Sequence, residues 1–540
     1  MARVARFSDQ LVSSYEVAGL WTREYPVDYW EANARKYPHR NALVFGSDRF
    51  TWLQAVEAVH KLAAGLVKSG FRKDDIIALH APDSATLLLV RLAAEKAGVI
   101  SLLVPPAFSR LEVERISQQL SLAGAVVCAD DRGRDVASGY VSGARQPSFA
   151  LFSIGNSKVE GSHPVAAWLE REWSAGEIEE ALHGRSFGPY EYSAIITTSG
   201  TTGAPRFVEH TACARSCSGR VYIERLKLGP DDVIVGTTSI FAGNCDLLLY
   251  HAAPQAGARA VLMDHFDPGT ACRIIEAERA TVAIFVPTLL HRLLEYKGLG
   301  DHDLSSLRMV TSFGAILVPE KAAEVERALG VKVIQGYGAS DYGALASTGI
   351  EDPEHVRRTG VGRPLTGTEV RICDESGVEL PTGAFGRIHA RGPHCVGGFV
   401  GDALATEQAW HSGFYPMGDV GRIDDDGYLW LAGRARELVI RGGQNIVPAE
   451  VEDVILTHPD VAEAAVLGTP DAEMGERVCV VIVPRSGAQL TLEALTDFLK
   501  HRGLARFKHP EQLLSVSSMP LNPAATKIDK QALREQLLRR

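Results

Sequence analysis

The stretch "IITTSGTTGAPRFVEHT", residues 195–211, gathers Ser199, Thr201 and Thr202 around Gly200 and Gly203, with Arg206 following Pro205. Two glycines let successive backbone N–H groups point one way, and three hydroxyls add donors, a combination suited to wrapping a phosphate chain. The loop lacks the GxxxxGK[ST] pattern, whose lysine and hydroxyl stand at a helix start. Taken by itself it also reads, less well, as a polar surface turn.

Four more segments follow it in order: "GYGASDYG" (336–343), "YPMGDVG" (415–421), "GRARELVIRGGQNIVPAEVE" (433–452) and "NPAATKIDKQALR" (522–534). With these five motifs the sequence resembles, over nearly its whole length, the superfamily of adenylate-forming enzymes. That superfamily includes acyl- and aryl-CoA synthetases, stand-alone aryl-acid adenylating enzymes, peptide-synthetase adenylation domains and luciferases. "GLWTREYPVDYWEANARKYPHRNALV" and "LKHRGLARFKHPEQLL" look most like its aryl-acid and cyclic-acid branch.

The resemblance implies formation of an acyl-adenylate from a carboxylic acid and ATP, then transfer of the acyl group to a thiol. Ser199, Gly200, Thr201, Thr202 and Gly203 would cradle the β- and γ-phosphates. Tyr337, after Gly336, would lie against adenine, and Ser340 would touch the α-phosphate. Asp341 stands in the place of a Mg2+-ligating glutamate. Asp419 would accept the ribose hydroxyls, a task suited to a carboxylate, with Arg434 beside it. Lys527 would neutralise charge on the reacting carboxylate and phosphate. In such enzymes a small domain swivels at the position of Arg436, presenting first this lysine and then a glycine turn. Here that turn is Gly442–Gly443, which leaves room for a pantetheine arm.

Three departures from the family pattern fall on adenylation. Arg206 replaces a lysine, keeping the charge on a bulkier planar fork. Asp341 is one methylene shorter than glutamate, a shortfall of about 1.5 Å at a metal with strict octahedral demands. Thr526 stands where a glycine usually precedes the lysine, restricting any φ > 0 conformation. The thiol-side turn keeps the family form. An alternative reading therefore has weak adenylation and acyl transfer mainly from preformed acyl-AMP.

The resemblance places the acid pocket between the segment 237–259 and the loop "TSFGAIL" (311–317). Phe241 or Ala242 stands where many relatives carry histidine, and Asn244 is a nearby polar candidate. Asp246 could hold a substrate amino group, but the flanking "DLLLY" favours burial or capping. Small residues at Ala242, Gly243, Gly314 and Ala315 predict a roomy apolar slot for a bulky cyclic or aromatic acid. The basic run "KHRGLARFKH" (500–509) reads equally as a CoA or carrier-protein contact and as a solvated helix end.

These motifs need large elements to position them. A chain of 540 residues exceeds one ordinary core. Short apolar runs alternating with amphipathic helical periods ("ALVFG", then "TWLQAVEAVHKLAAGLVKSG", then "DIIALHA") predict parallel α/β layers. The pattern returns at 281–296, where Pro287 suits a helix start, and at "VKVIQGYG". From 359 to 432, glycine turns between short alternating strands predict β-meander or barrel-like material. The expected architecture is α/β: a large domain over 1–435, with two flavodoxin-like layers and a β-barrel section, and a small mobile α+β domain over 436–540.

Composition bounds the function. Hydrophobic residues make up 46% and charged residues 23%, as in a soluble globular protein. A net charge of −10 argues against a general nucleic-acid or anionic-membrane surface. No apolar run reaches the roughly 18 residues that span a bilayer, and Asp9 and Glu16 interrupt any secretory segment. The eight cysteines are scattered, and Cys213 with Cys217 lacks the partners of a zinc site. Reduced thiols and a cytoplasmic location follow. No GxGxxG of the dinucleotide-binding kind appears.

The sequence therefore predicts an AMP-forming acid–thiol ligase using ATP (or acyl-AMP), Mg2+ and coenzyme A, as monomer or homodimer. No carrier domain is expected after "KIDKQALREQLLRR", so the acceptor is free CoA or a separate carrier protein. The rivals are a stand-alone enzyme loading a carrier protein and a non-catalytic homologue that binds an adenylate or CoA.

Overall fold

A computed structural model describes residues 8–128, 131–145, 148–155, 159–188, 190–199, 205–434, 437, 439–441, 444–446, 448–471, 474–485, 488–521 and 528–538. Two large sheets dominate it. One has nine strands, parallel through its centre from Lys332–Ala339 to Asn41–Phe45 and antiparallel at both edges. The other has eight, with Tyr192–Ser199, Ile100–Leu103, Ile76–His80, Leu122–Cys128 and Ala150–Ile154 parallel in that order.

Local sequence explains the alternation. Thr51 accepts from the Gln54 amide and Gln54 answers through the Thr51 N–H, starting the helix Trp52–Lys68, which ends before Gly70 at φ +96°. Pro287 opens the helix Pro287–Leu294 directly after the strand Val282–Phe285. The helix Ala85–Lys96 is buried around almost its whole circumference, so its charged residues Arg91 and Glu95 cannot reach water.

The region 359–432 supplies an antiparallel four-stranded meander: Glu369–Cys373, Gly386–Arg391, Tyr415–Ile423 and Leu429–Arg434. The last part of the chain has its own five-stranded sheet, with a core of Val439, Ile446, Val451, Val480, Leu495 and Leu499 among others. It includes the antiparallel pair Val439–Arg441 and Gln444–Ile446, and a strand with no counterpart in the sequence reading, Gln512–Ser515, which pairs parallel to Gly475–Pro484. Among the described residues no helix is long and apolar enough to cross a membrane.

Candidate nucleotide and acid site

The phosphate-loop candidate joins two antiparallel strands. Tyr192–Ser199 leads in, and Pro205–Thr211 returns antiparallel, with Ser199 opposite Pro205 and Thr198 opposite Arg206. Gly200, Thr201, Thr202 and Gly203 lie outside the described residues. Arg206 is exposed, and its guanidinium lies over the Phe399 ring, 5.2 Å from the centroid.

The strand of Gly336 and Tyr337 runs on to Ala339 and turns into Gly343–Ser347. The turn is closed by the Tyr342 N–H donating to the Ala339 carbonyl at 3.1 Å, so Ser340 and Asp341 are its two central residues. Tyr342 is fully buried beside Trp410 and Tyr415. Two glycines here are geometric requirements. A β-carbon on Gly336 would lie 1.7 Å from the Phe313 ring, and Gly343 combines φ +118° with the His394 carbonyl 2.2 Å from a β-carbon position.

Tyr337 reaches out of the nine-stranded sheet: its hydroxyl donates to Asp419 Oδ2, on the central strand of the meander. Asp419 is only 7% exposed and stands opposite Arg434 in the strand pairing. Thus the adenine, ribose and α-phosphate candidates Tyr337, Asp419 and Ser340 meet where the two sheets join. Of Ser199 and Arg434, only the backbone is described.

The acid-pocket candidates lie at the carboxyl ends of the two parallel strands that flank Val282–Phe285, where open α/β sheets place their ligands. Phe241, Ala242 and Asn244 follow Val233–Gly236, and Gly314 and Ala315 follow Met309–Phe313. Space is open there. A β-carbon on Gly243 would meet nothing within 4 Å, and one on Gly314 only Val286 at 3.9 Å. Asn244 is committed internally, accepting from the Thr238 hydroxyl and the Cys245 N–H while donating to the Phe285 carbonyl. Asp83, unmarked in the sequence, pins the pocket loop by accepting from the Ser239 hydroxyl at 3.0 Å and the Ile240 N–H at 2.9 Å. Burial nevertheless pushes its pKa up to about 7.

Asp246 is 1% exposed and bound by Arg91 at 2.6 Å and by Arg215. Burial alone would raise its pKa, but the two guanidiniums outweigh that and hold the carboxyl well below the usual range. A π-helical stretch, Asp246–Ala252, begins at this residue and brings His251 to 3.8 Å from it. Arg91 also lies 3.6 Å from the Tyr250 ring centroid. The carboxylate is therefore used up in a buried ion cluster between the two halves of the large domain, as burial rather than amine binding predicts. Cys213 and Cys217 are buried thiols whose pKa values burial pushes up to about 12. In the basic run, Lys508 is paired with Glu450.

Magnesium characteristically takes one or two carboxylates together with substrate phosphates. Asp341, partly exposed in its turn, is a carboxylate of that kind. No group of three or more His, Cys, Asp or Glu side chains that could hold a metal alone occurs among the described residues. These residues fit a metal arriving with a nucleotide. Lys527, Arg436, Gly442 and Gly443 lie outside the described residues.

Residues 30–400 match the AMP-binding enzyme profile, and residues 450–525 that of the AMP-binding enzyme C-terminal domain. The chain belongs to the AMP-binding enzyme family. This AMP-binding enzyme is 27% identical to the medium-chain fatty-acid–CoA ligase of Escherichia coli, over 99% of this chain and 94% of that protein. It is 29% identical to the salicyl-AMP ligase/salicyl-S-ArCP synthetase of Mycobacterium tuberculosis, over 98% and 94%. Among solved structures, the amide bond synthetase McbA of Marinactinospora thermotolerans superposes with a TM-score of 0.82 at 27% identity, over 95% of this chain and 99% of that one. The AMP-binding enzyme is an adenylate-forming ligase with a large N-terminal α/β domain and a smaller C-terminal one.

Proposed function

We propose that this enzyme joins a bulky cyclic or aromatic carboxylic acid to coenzyme A through an acyl-adenylate. The observation that carries the nucleotide half is the Tyr337–Asp419 bond, which pre-sets a ring face and a desolvated carboxylate side by side. Tyr337 would lie on adenine, Asp419 would accept the ribose hydroxyls, and the Ser340–Asp341 turn would face the phosphates. Asp341 would hold Mg2+ together with those phosphates, the metal supplying charge neutralisation. Arg206 and the loop 199–203 would bind the leaving pyrophosphate, and Lys527 would stabilise charge at the reacting carboxylate. Gly442 and Gly443 would admit the pantetheine arm after a swivel at Arg436, with the domains divided at Ala435–Arg436. The open positions at Gly243 and Gly314 support a bulky acid, and a CoA ligase among the relatives supports a thiol acceptor. Eight free cysteines suit the reducing cytoplasm.

The test is a panel of benzoates, salicylates, cyclic acids and medium-chain fatty acids, each with MgATP and CoA, a carrier protein or an amine. Acyl-CoA with stoichiometric AMP is the expected product. A product formed only with the carrier protein or the amine would replace the acceptor, and no acid-dependent AMP would reject the reading.

One observation favours a second reading, in which preformed acyl-AMP is the main substrate: the Arg206 guanidinium is engaged over Phe399. Equal initial rates from acyl-AMP plus CoA and from acid, ATP plus CoA would reject it.

A further inference from the structure

His210 belongs to none of the assigned motif roles, yet it links two of them. It sits four residues after Arg206 on the strand Pro205–Thr211 and is 4% exposed. Its Nε2 lies 3.1 Å from the Ser340 carbonyl oxygen. A carbonyl only accepts, so Nε2 must carry a proton, and in the neutral ring Nδ1 is then bare. Nδ1 is buried, without a hydrogen-bond partner among the described residues. The ring shares a small buried cavity with Arg91, Arg215 and Asp246. A second proton on the ring would add a positive charge beside two guanidiniums. Burial, reinforced by Arg215, accordingly lowers the imidazole pKa to about 3.

The carbonyl that His210 holds belongs to the central peptide of the Ala339–Tyr342 turn. The central peptide of a β-turn is the unit that flips between the two main turn types, and such a flip reverses both its C=O and its N–H. Peptide planarity means that holding the Ser340 oxygen inward aims the Asp341 N–H the opposite way. Tyr342, packed against Trp410 and Tyr415, fixes the far end of the turn, beyond this peptide.

We infer that His210 is a positioning residue for the nucleotide phosphates, fixing the Ser340–Asp341 peptide in one orientation through a neutral Nε2–H donor. The inference rests on the reading of Tyr337, Ser340 and Asp341 as the nucleotide site, and the test separates the two. Isothermal titration with MgATP and with adenosine is run on wild type, H210L and H210Q, alongside the melting temperature of each. Glutamine can place an amide N–H near the Nε2 position, whereas leucine offers no donor. H210L should bind MgATP about tenfold more weakly while its adenosine affinity stays within twofold. H210Q should recover MgATP affinity to within threefold of wild type. Unchanged MgATP affinity in H210L overturns the inference, as does a loss shared equally with adenosine or one that H210Q fails to recover. Should H210L not fold, H210N takes its place, since its amide falls short of Ser340. A wild-type chain that binds no MgATP would instead reject the nucleotide-site reading.

Discussion

Where the nine-stranded sheet meets the antiparallel meander, the Tyr337 hydroxyl donates to the carboxylate of Asp419. The bond ties residues that approach from different sheets and leaves the carboxylate almost wholly out of water. Hydrogen bonds to a charged group contribute about 1.5–3 kcal/mol. D419A should therefore weaken MgATP binding roughly 10- to 150-fold. Y337F, which keeps the ring and loses only the donor, should cost less than tenfold. Titration calorimetry on both variants checks this order.

Close packing under Tyr337 makes Gly336 irreplaceable. Alanine there must displace the Phe313 ring, and overpacking of this kind costs about 1–3 kcal/mol. G336A should lower the melting temperature, and F313L in the same chain should recover part of the loss by yielding volume.

Removing the carboxylate at Asp246 would leave Arg91 and Arg215 as uncompensated buried cations. Breaking a buried pair in this way costs about 3–5 kcal/mol. D246A should fall in denaturant midpoint by a corresponding amount, whereas an amine-binding residue would change substrate choice and leave stability intact.

Acid should remove the stability contributed by the buried neutral histidines. Burial lowers the pKa of His80 and His394 to about 4 and that of His210 to about 3, against about 6.5 in the unfolded chain. Their folded-state values are depressed, so stability is complete above pH about 6.5 and is lost as pH falls toward 4, by up to about 1.4 kcal/mol per pH unit for each ring. Asp83 and Glu95, which burial raises to about 7 and 8, act oppositely: their contribution is largest at low pH and is lost as pH rises. His251, which burial also holds well below its usual range, joins the histidines, and Asp453, raised to about 7, joins the carboxyls. The histidine contribution is therefore read by difference: between pH 7 and pH 5 the melting temperature of wild type should fall relative to that of H394Q.

Much of this arrangement is legible in the sequence because its signals are local. Thr51 with Gln54, Pro287 and Gly70 mark helix ends within a few residues, and the α/β alternation follows from hydrophobic period. The Tyr337 and Asp419 positions come from motifs that keep their order. Asp246 also reads correctly as a buried side chain, though its partners do not. Arg91 and Arg215 lie far from it in the chain, and no periodicity reveals a long-range ion pair. Asp83 and His210 escape for the same reason, each acting on a loop supplied by a distant strand. The π-helical turn at 246–252 leaves no mark, since "DLLLYHA" satisfies an ordinary helix equally well.

Lys527→Ala tests the division of labour most directly, assayed in two reactions with the best acid of the panel. Acid-dependent ATP–pyrophosphate exchange should fall about 10²- to 10³-fold, as on removal of one preorganised donor to developing charge. Transfer from supplied acyl-AMP to CoA should stay within a fewfold of wild type, and G443L should show the reverse pattern. Equal damage to both reactions in both variants would contradict a single cleft that serves the nucleotide first and the thiol afterwards.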